Sequence, residues 1–126
     1  MMKTMASIWL MLGALYGLLG VVFGAFGAHA LRARLSAEML AIWRTAVEYQ
    51  FYHALALGLI GLLLRQAGAS RLLDAAGACF ALGVLIFSGS LYVLALSDLR
   101  VLGAITPIGG LLFIIGWALL LIAAMR

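Results

Sequence analysis

Arg44, Thr45, Glu48, Tyr49, Tyr52 and His53 bring a cation, a carboxylate, a hydroxyl, two phenols and an imidazole into the short segment between Trp43 and Leu55. At 100° per residue, Thr45, Glu48, Tyr49, Tyr52 and His53 fall within about 140° of one helix face, with Arg44 one turn before Glu48. Such a stripe can serve acid–base catalysis, metal or haem ligation, proton-coupled transport, or recognition of a polar ligand. Glu48 and His53 are not spaced as an adjacent-turn pair, and no nucleophile elbow or oxyanion loop accompanies them. His29 and His53 come from different segments, with no His-x-x-x-His or Glu-x-x-His pattern, and Cys79 falls at another depth. No Walker, Rossmann or zincin motif is present. The residues therefore predict no catalytic residue, no metal and no cofactor, and weigh against an enzyme.

The surroundings of the stripe are almost entirely apolar. The chain of 126 residues is 67% hydrophobic and only 10% charged, with a mean hydropathy of +1.25, against roughly 45–50% apolar residues in soluble domains. A chain this short has too little interior to hide that surface, so most of it must face lipid. The net charge of +4 is spread over loops and ends, which suits interfacial arginines and lacks the clustered footprint of a nucleic-acid binder. A lone Cys79 cannot form a disulfide within the chain.

Four spans are predicted, at about 6–28, 45–64, 72–96 and 101–125, each long enough to cross a hydrocarbon core of about 30 Å. Lys3 ahead of the first run and Ala28-His29-Ala30 after it imitate a signal peptide, but the apolar run is too long for one. Gly13, Gly17, Gly20, Gly24 and Gly27 make a stripe without side chains, predicting a close helix seam and a surface through which a homo-oligomer can form. Ser36 caps the second helix and Glu38 lies in its first turn. Met39, Trp43, Ala46 and Gln50 repeat at helical spacing, so this helix begins with an amphipathic extension at the membrane surface. Gly68 and Ser70 punctuate the next loop, and Thr106-Pro107 opens the last helix. Trp9, Trp43, Trp117, Tyr49 and Tyr52 are expected in the aromatic belts at the interfaces.

Alternating direction through four spans allows depths to be compared. His29, Arg44, Thr45, Glu48, Tyr49, Tyr52, His53, Ser88, Ser90, Tyr92 and Thr106 fall in one half of the membrane, with Asp98 and Arg100. The other half is bare apart from Tyr16 and Asp74. A charged group at the bilayer centre costs roughly 2.5–3.5 kcal/mol, so polar side chains turn toward partners. The expectation is a one-sided internal vestibule built from those eleven residues with His53 at its floor. The plainer alternative is that they hydrogen-bond the helices together.

The block Gly24-Ala25-Phe26-Gly27-Ala28-His29-Ala30-Leu31, followed by Ile42 to Gln50 and Tyr52 to Leu57, resembles the small bacterial membrane proteins grouped as domain of unknown function 423, or YgdD-like proteins, with eukaryotic transmembrane-protein-256-like relatives. The resemblance spans essentially the whole chain. It implies a four-span inner-membrane protein without an assigned activity, and it transfers no catalytic residue.

The sequence thus predicts one all-α domain over residues 1–126, four transmembrane helices in an antiparallel bundle, and the resemblance implies the bacterial cytoplasmic (inner) membrane as its place. Its partner is the lipid bilayer, not nucleic acid. Lys3, Arg65, Arg71 and Arg126 balance Arg32, Arg34, Arg44 and Arg100 across the membrane, leaving orientation open. The role expected is a non-enzymatic protein whose polar pocket takes a small ligand, a lipid headgroup or a partner segment. A proton-coupled transporter using Glu48 is the alternative, with the balanced charges permitting an antiparallel dimer.

Overall fold

A computed structural model describes residues 2–126, with side chains from Met5 onward; Lys3, expected as a basic anchor, lies outside the described side chains. The chain forms four long helices: α1 (Met2–Phe26), prolonged by a π-helical turn at Gly27–Leu31; α2 (Ala37–Ala67); α3 (Arg71–Ser97); and α4 (Thr106–Met125), preceded by a 3₁₀ turn at Arg100–Ala104. All four are long and apolar enough to cross a membrane, so the chain is an all-α membrane protein. Its helices pack in chain order, α1 on α2, α2 on α3 and α3 on α4, with a small α1–α3 contact.

Local chemistry fixes the ends. The Ser36 hydroxyl accepts the Met39 N–H at 3.1 Å, and the Ser70 hydroxyl accepts that of Leu73 at 3.2 Å, each satisfying an orphan donor of a first helical turn. Asp98 closes α3 in the left-handed region, with φ of 59°, and its N–H reaches Leu94 O at 2.8 Å. The fourth helix proper starts at Thr106 rather than 101, because Pro107 lacks an N–H and is accommodated in the first turn. In α2, no break occurs at Arg44; the helix is continuous through all 31 residues.

Among the described residues, two apolar clusters make the interior. The larger is centred on Leu57, Ile60, Ala76 and Phe80; the smaller joins Leu31, Met39, Trp43, Leu94 and Ala95 near the first loop. Trp9 and Trp43 are buried, at 7% and 4% exposure, a correction to the interfacial belt expected for them. Each indole N–H has an internal acceptor, Asp74 Oδ1 at 3.0 Å for Trp9 and Phe23 O at 2.9 Å for Trp43, which lets these rings enter the core.

The glycine stripe is largely used within the chain. A methyl group on Gly13 would lie 2.8 Å from Ala54 O, and one on Gly20 or Gly27 would strike Phe51 or Trp43. Gly24 approaches Val47, while Gly17 faces open space. The stripe is therefore the α1–α2 seam, and the surface expected to join two copies is mostly covered by α2.

Candidate functional site

The eleven polar residues placed at one depth do not surround a common vestibule. They separate into a buried set, whose members find partners across helix interfaces, and a more exposed set, of which Arg44 and Glu48 border α1 while Tyr49 lies against Phe87 of α3 and Phe113 of α4.

His53 is 3% exposed. Its ring stacks on Phe113, with centroids 3.7 Å apart and planes 6° from parallel. Trp117 Nε1 lies 3.0 Å from Nε2, and Nδ1 lies 2.7 Å from Tyr49 O. An indole N–H only donates and a carbonyl only accepts, so Nε2 is the acceptor and Nδ1 carries the proton. That arrangement fixes the neutral Nδ1–H tautomer and occupies both nitrogens. The imidazole holds α4 against α2.

Ser88 is fully buried and donates to Ala46 O at 2.7 Å, joining α3 to α2. Ser90 and Thr106 share a hydrogen bond of 2.6 Å between α3 and α4. Tyr92 donates to Gln50 Oε1 at 2.5 Å, and Gln50 Nε2 donates to Tyr16 O at 2.8 Å. The Tyr16 hydroxyl returns to Ala81 O at 2.9 Å. Gln50 thus links α3, α2 and α1. It was absent from the expected pocket, yet its place on the Met39–Trp43–Ala46 stripe, a polar residue on the buried face of α2, is the signal that finds it.

Gln50→Leu removes one partner of two groups at nearly constant volume, leaving the Tyr92 hydroxyl orphaned. A loss of about 1–2 kcal/mol is expected. In Gln50→Leu with Tyr92→Phe, part of that loss should return, as read by reversible unfolding in detergent; an unchanged or larger loss in the double variant would contradict the assignment.

The outward set differs in kind. Arg44, Glu48, Tyr49 and Tyr52 are exposed. The Tyr52 hydroxyl donates to Glu48 Oε2 at 3.2 Å, and Thr45 bonds back to Ala41 O in its own helix at 3.1 Å. His29 is exposed on the π-helical turn. Glu48 therefore faces away from the bundle interior. Between α1 and α2, Arg44, Glu48, Trp43 and Val47 border a cleft of about 140 Å³ opposite Gly24, Gly27 and Ala28. The charged cluster among the described residues lies elsewhere, where Arg100 Nη1 meets Glu38 Oε1 at 2.8 Å and Arg100 Nε meets Asp98 Oδ1 at 3.3 Å. It clasps the α3–α4 loop to the start of α2 and, being exposed, adds little stability.

The architecture defines a small four-span helical membrane protein, with polar crosslinks inside and a charged cleft at one end of the α1–α2 seam. By sequence the chain belongs to the DUF423 family, described as proteins of unknown function, whose pattern matches residues 23–110. A UPF0382 membrane protein of Staphylococcus haemolyticus is 48% identical over 120 residues, covering 95% of this chain and 97% of its own length. The UPF0382 membrane protein YwdK of Bacillus subtilis is 40% identical over 120 residues, with 95% and 98% covered. No solved structure matches the chain. Together with these bacterial relatives, the four spanning helices are those of an integral inner-membrane protein.

Proposed function

We propose that the chain is a non-enzymatic membrane protein whose polar half offers a one-sided recognition site for a small headgroup-like ligand, and that this site is the Arg44–Glu48 cleft. The observation that carries this reading is the pairing of opposite charges one turn apart on α2. Among the described residues, neither charge makes an ion pair within 4 Å, and both border the same cleft beside glycines of α1. A ligand carrying a phosphate and an amine complements both at once: the guanidinium suits a phosphate bidentately, and a carboxylate accepts from an ammonium. Recognition rather than turnover is supported by His53, whose two nitrogens are both engaged, and by Glu48, which accepts from the Tyr52 hydroxyl.

The test uses the water-soluble headgroup glycerophosphoethanolamine. A ligand that binds the folded state raises the unfolding temperature in proportion to its occupancy. The wild-type chain in detergent should be stabilised by several degrees at saturating probe, and Arg44→Gln or Glu48→Gln should abolish the shift while leaving the unliganded midpoint nearly unchanged. No shift in the wild-type protein, or an equal shift in both variants, would overturn the reading.

A further inference from the structure

Below the cleft, on the same face of the α1–α2 pair, runs an apolar groove of about 800 Å³. On α2, Arg44 and Glu48 of the cleft and Leu55 and Leu62 of the groove fall within about 40° of one another at 100° per residue. On α1, Gly24 of the cleft leads directly to Val21, Gly17 and Ala14 of the groove by helical steps. The two depressions lie in line on one face and together make a furrow, polar toward the membrane surface and apolar within, with Phe51 packed on Gly20 between its two parts.

We infer that this furrow holds one phospholipid, an amine-bearing diacyl lipid such as phosphatidylethanolamine, with its phosphate at Arg44, its ammonium at Glu48 and one acyl chain along the groove. The inference rests on the proposed headgroup reading and extends it from a headgroup to a whole lipid. Four observations carry it. The groove begins at Phe51 and ends at Leu62 on α2, a run of about 16 Å at 1.5 Å per residue, comparable with the roughly 15 Å depth of one leaflet's hydrocarbon. Its walls are Leu18, Val21, Leu55 and Leu62, all more than half exposed, so acyl methylenes meet only apolar surface. Its volume lies within the roughly 300–1,000 Å³ of small-molecule sites.

The fourth observation concerns two glycines. Gly13 is needed for the approach of α2, but Gly17 and Gly58, both lining the groove, have nothing within 4 Å of the point where a Cβ would stand. Helix contact does not require their bareness. What they leave is room, and a larger side chain at either position fills the groove without disturbing the seam.

Native mass spectrometry of the full chain, released from detergent after incubation with phosphatidylethanolamine, phosphatidylglycerol or phosphatidylcholine of identical acyl chains, tests this. The wild-type protein should retain one phosphatidylethanolamine at about tenfold higher occupancy than the other two lipids, as expected for the one charge-assisted contact, ammonium N–H to Glu48, that the others cannot make. Gly17→Leu and Gly58→Leu should each lower that retention about tenfold, with unfolding temperatures equal to or above wild type. Glu48→Gln should erase the headgroup preference, and Arg44→Gln should lower retention of all three lipids, whose phosphates are alike. Retention untouched in both leucine variants, with headgroup preference intact in the wild type, would overturn the furrow and leave the cleft standing. Equal retention of all three lipids by the wild type would overturn the headgroup reading itself. Dimers that disappear in the leucine variants while lipid retention stays constant would assign the groove to a second copy of the chain.

Discussion

Gly109→Ala is expected to destabilise the bundle by about 3 kcal/mol, the upper part of the range for overpacking, from the addition of one methyl group. The ideal Cβ position at Gly109 lies 2.5 Å from Phe87 N, 2.7 Å from its Cβ and 2.8 Å from its Cα. Those atoms belong to the α3 backbone and cannot rotate aside, so α4 must retreat. The retreat is shared by neighbouring contacts, since Gly83 packs under Phe113 and Gly116 under Phe80 across the same interface. Dispersion falls off within a fraction of an ångström of added separation. It also stretches the Ser90–Thr106 bond at the same interface. Gly89 is the internal control: it lies on α3, and nothing stands within 4 Å of its Cβ position. Gly89→Ala should be neutral or stabilising by up to about 1 kcal/mol, the helix-propensity gain. Reversible unfolding in mixed micelles reads both. Equal effects at the two positions would show that α3 and α4 are not held at backbone contact.

His53→Ala is the second substitution with a large expected effect, about 2–4 kcal/mol. Three losses coincide. The ring vacates the space between Phe113 and Phe80, whose centroids stand 3.7 Å and 5.4 Å from its own. Trp117 Nε1 loses its acceptor, and with no water in the bilayer to replace it the donor is left unpaired. The Tyr49 carbonyl loses its side-chain donor. Trp117→Phe isolates one of these, removing the indole N–H and leaving Nε2 without a donor, and should cost less than His53→Ala. In a double-mutant cycle the His53 and Trp117 substitutions should be less than additive, with a coupling of about 0.5–2 kcal/mol. Additive losses would mean that the imidazole packs without bonding Trp117. Nitrogen chemical shifts give an independent reading, with Nδ1 protonated and Nε2 bare.

The fold was legible in the sequence because a membrane leaves few choices. Long apolar runs, separated by Arg32 to Ser36, by Arg65 to Arg71 and by Ser97 to Arg100, predict four spanning helices, as the structure has them. Ser36, Ser70 and Gly68 mark boundaries by local hydrogen bonding and backbone geometry, which need no partner helix. Ser88, Ser90, Tyr92, His53 and Thr106 bond across the interfaces among α2, α3 and α4. Helix rotation was less legible. A stripe about 140° wide contains both inward His53 and outward Glu48 and Tyr52, and only packing partners decide which edge turns in. Gln50 lies just outside that stripe and became a central link, while Trp9 and Trp43 entered the core because Asp74 and the Phe23 carbonyl receive their N–H groups. Those acceptors stand 65 and 20 residues away in sequence, beyond the reach of any local pattern. The glycine stripe announced a seam, but whether its partner was α2 or another copy depended on tertiary contact.

The division of labour among the polar groups gives the protein its character. Buried hydroxyls, Gln50 and His53 are consumed in joining helices, each interhelical bond adding on the order of a kilocalorie per mole. Arg44 and Glu48 are kept from that work and held at the lip of a furrow between α1 and α2. Phosphorus-to-arginine distances measured by solid-state NMR, on the arginine-labelled chain in phosphatidylethanolamine bilayers, test this division most directly. The Arg44 guanidinium carbon, assigned by its disappearance in Arg44→Lys, should show a contact with lipid phosphorus that is closer and longer-lived than those of Arg32 and Arg34. Equal dephasing of all three arginines, or none at Arg44, would contradict it.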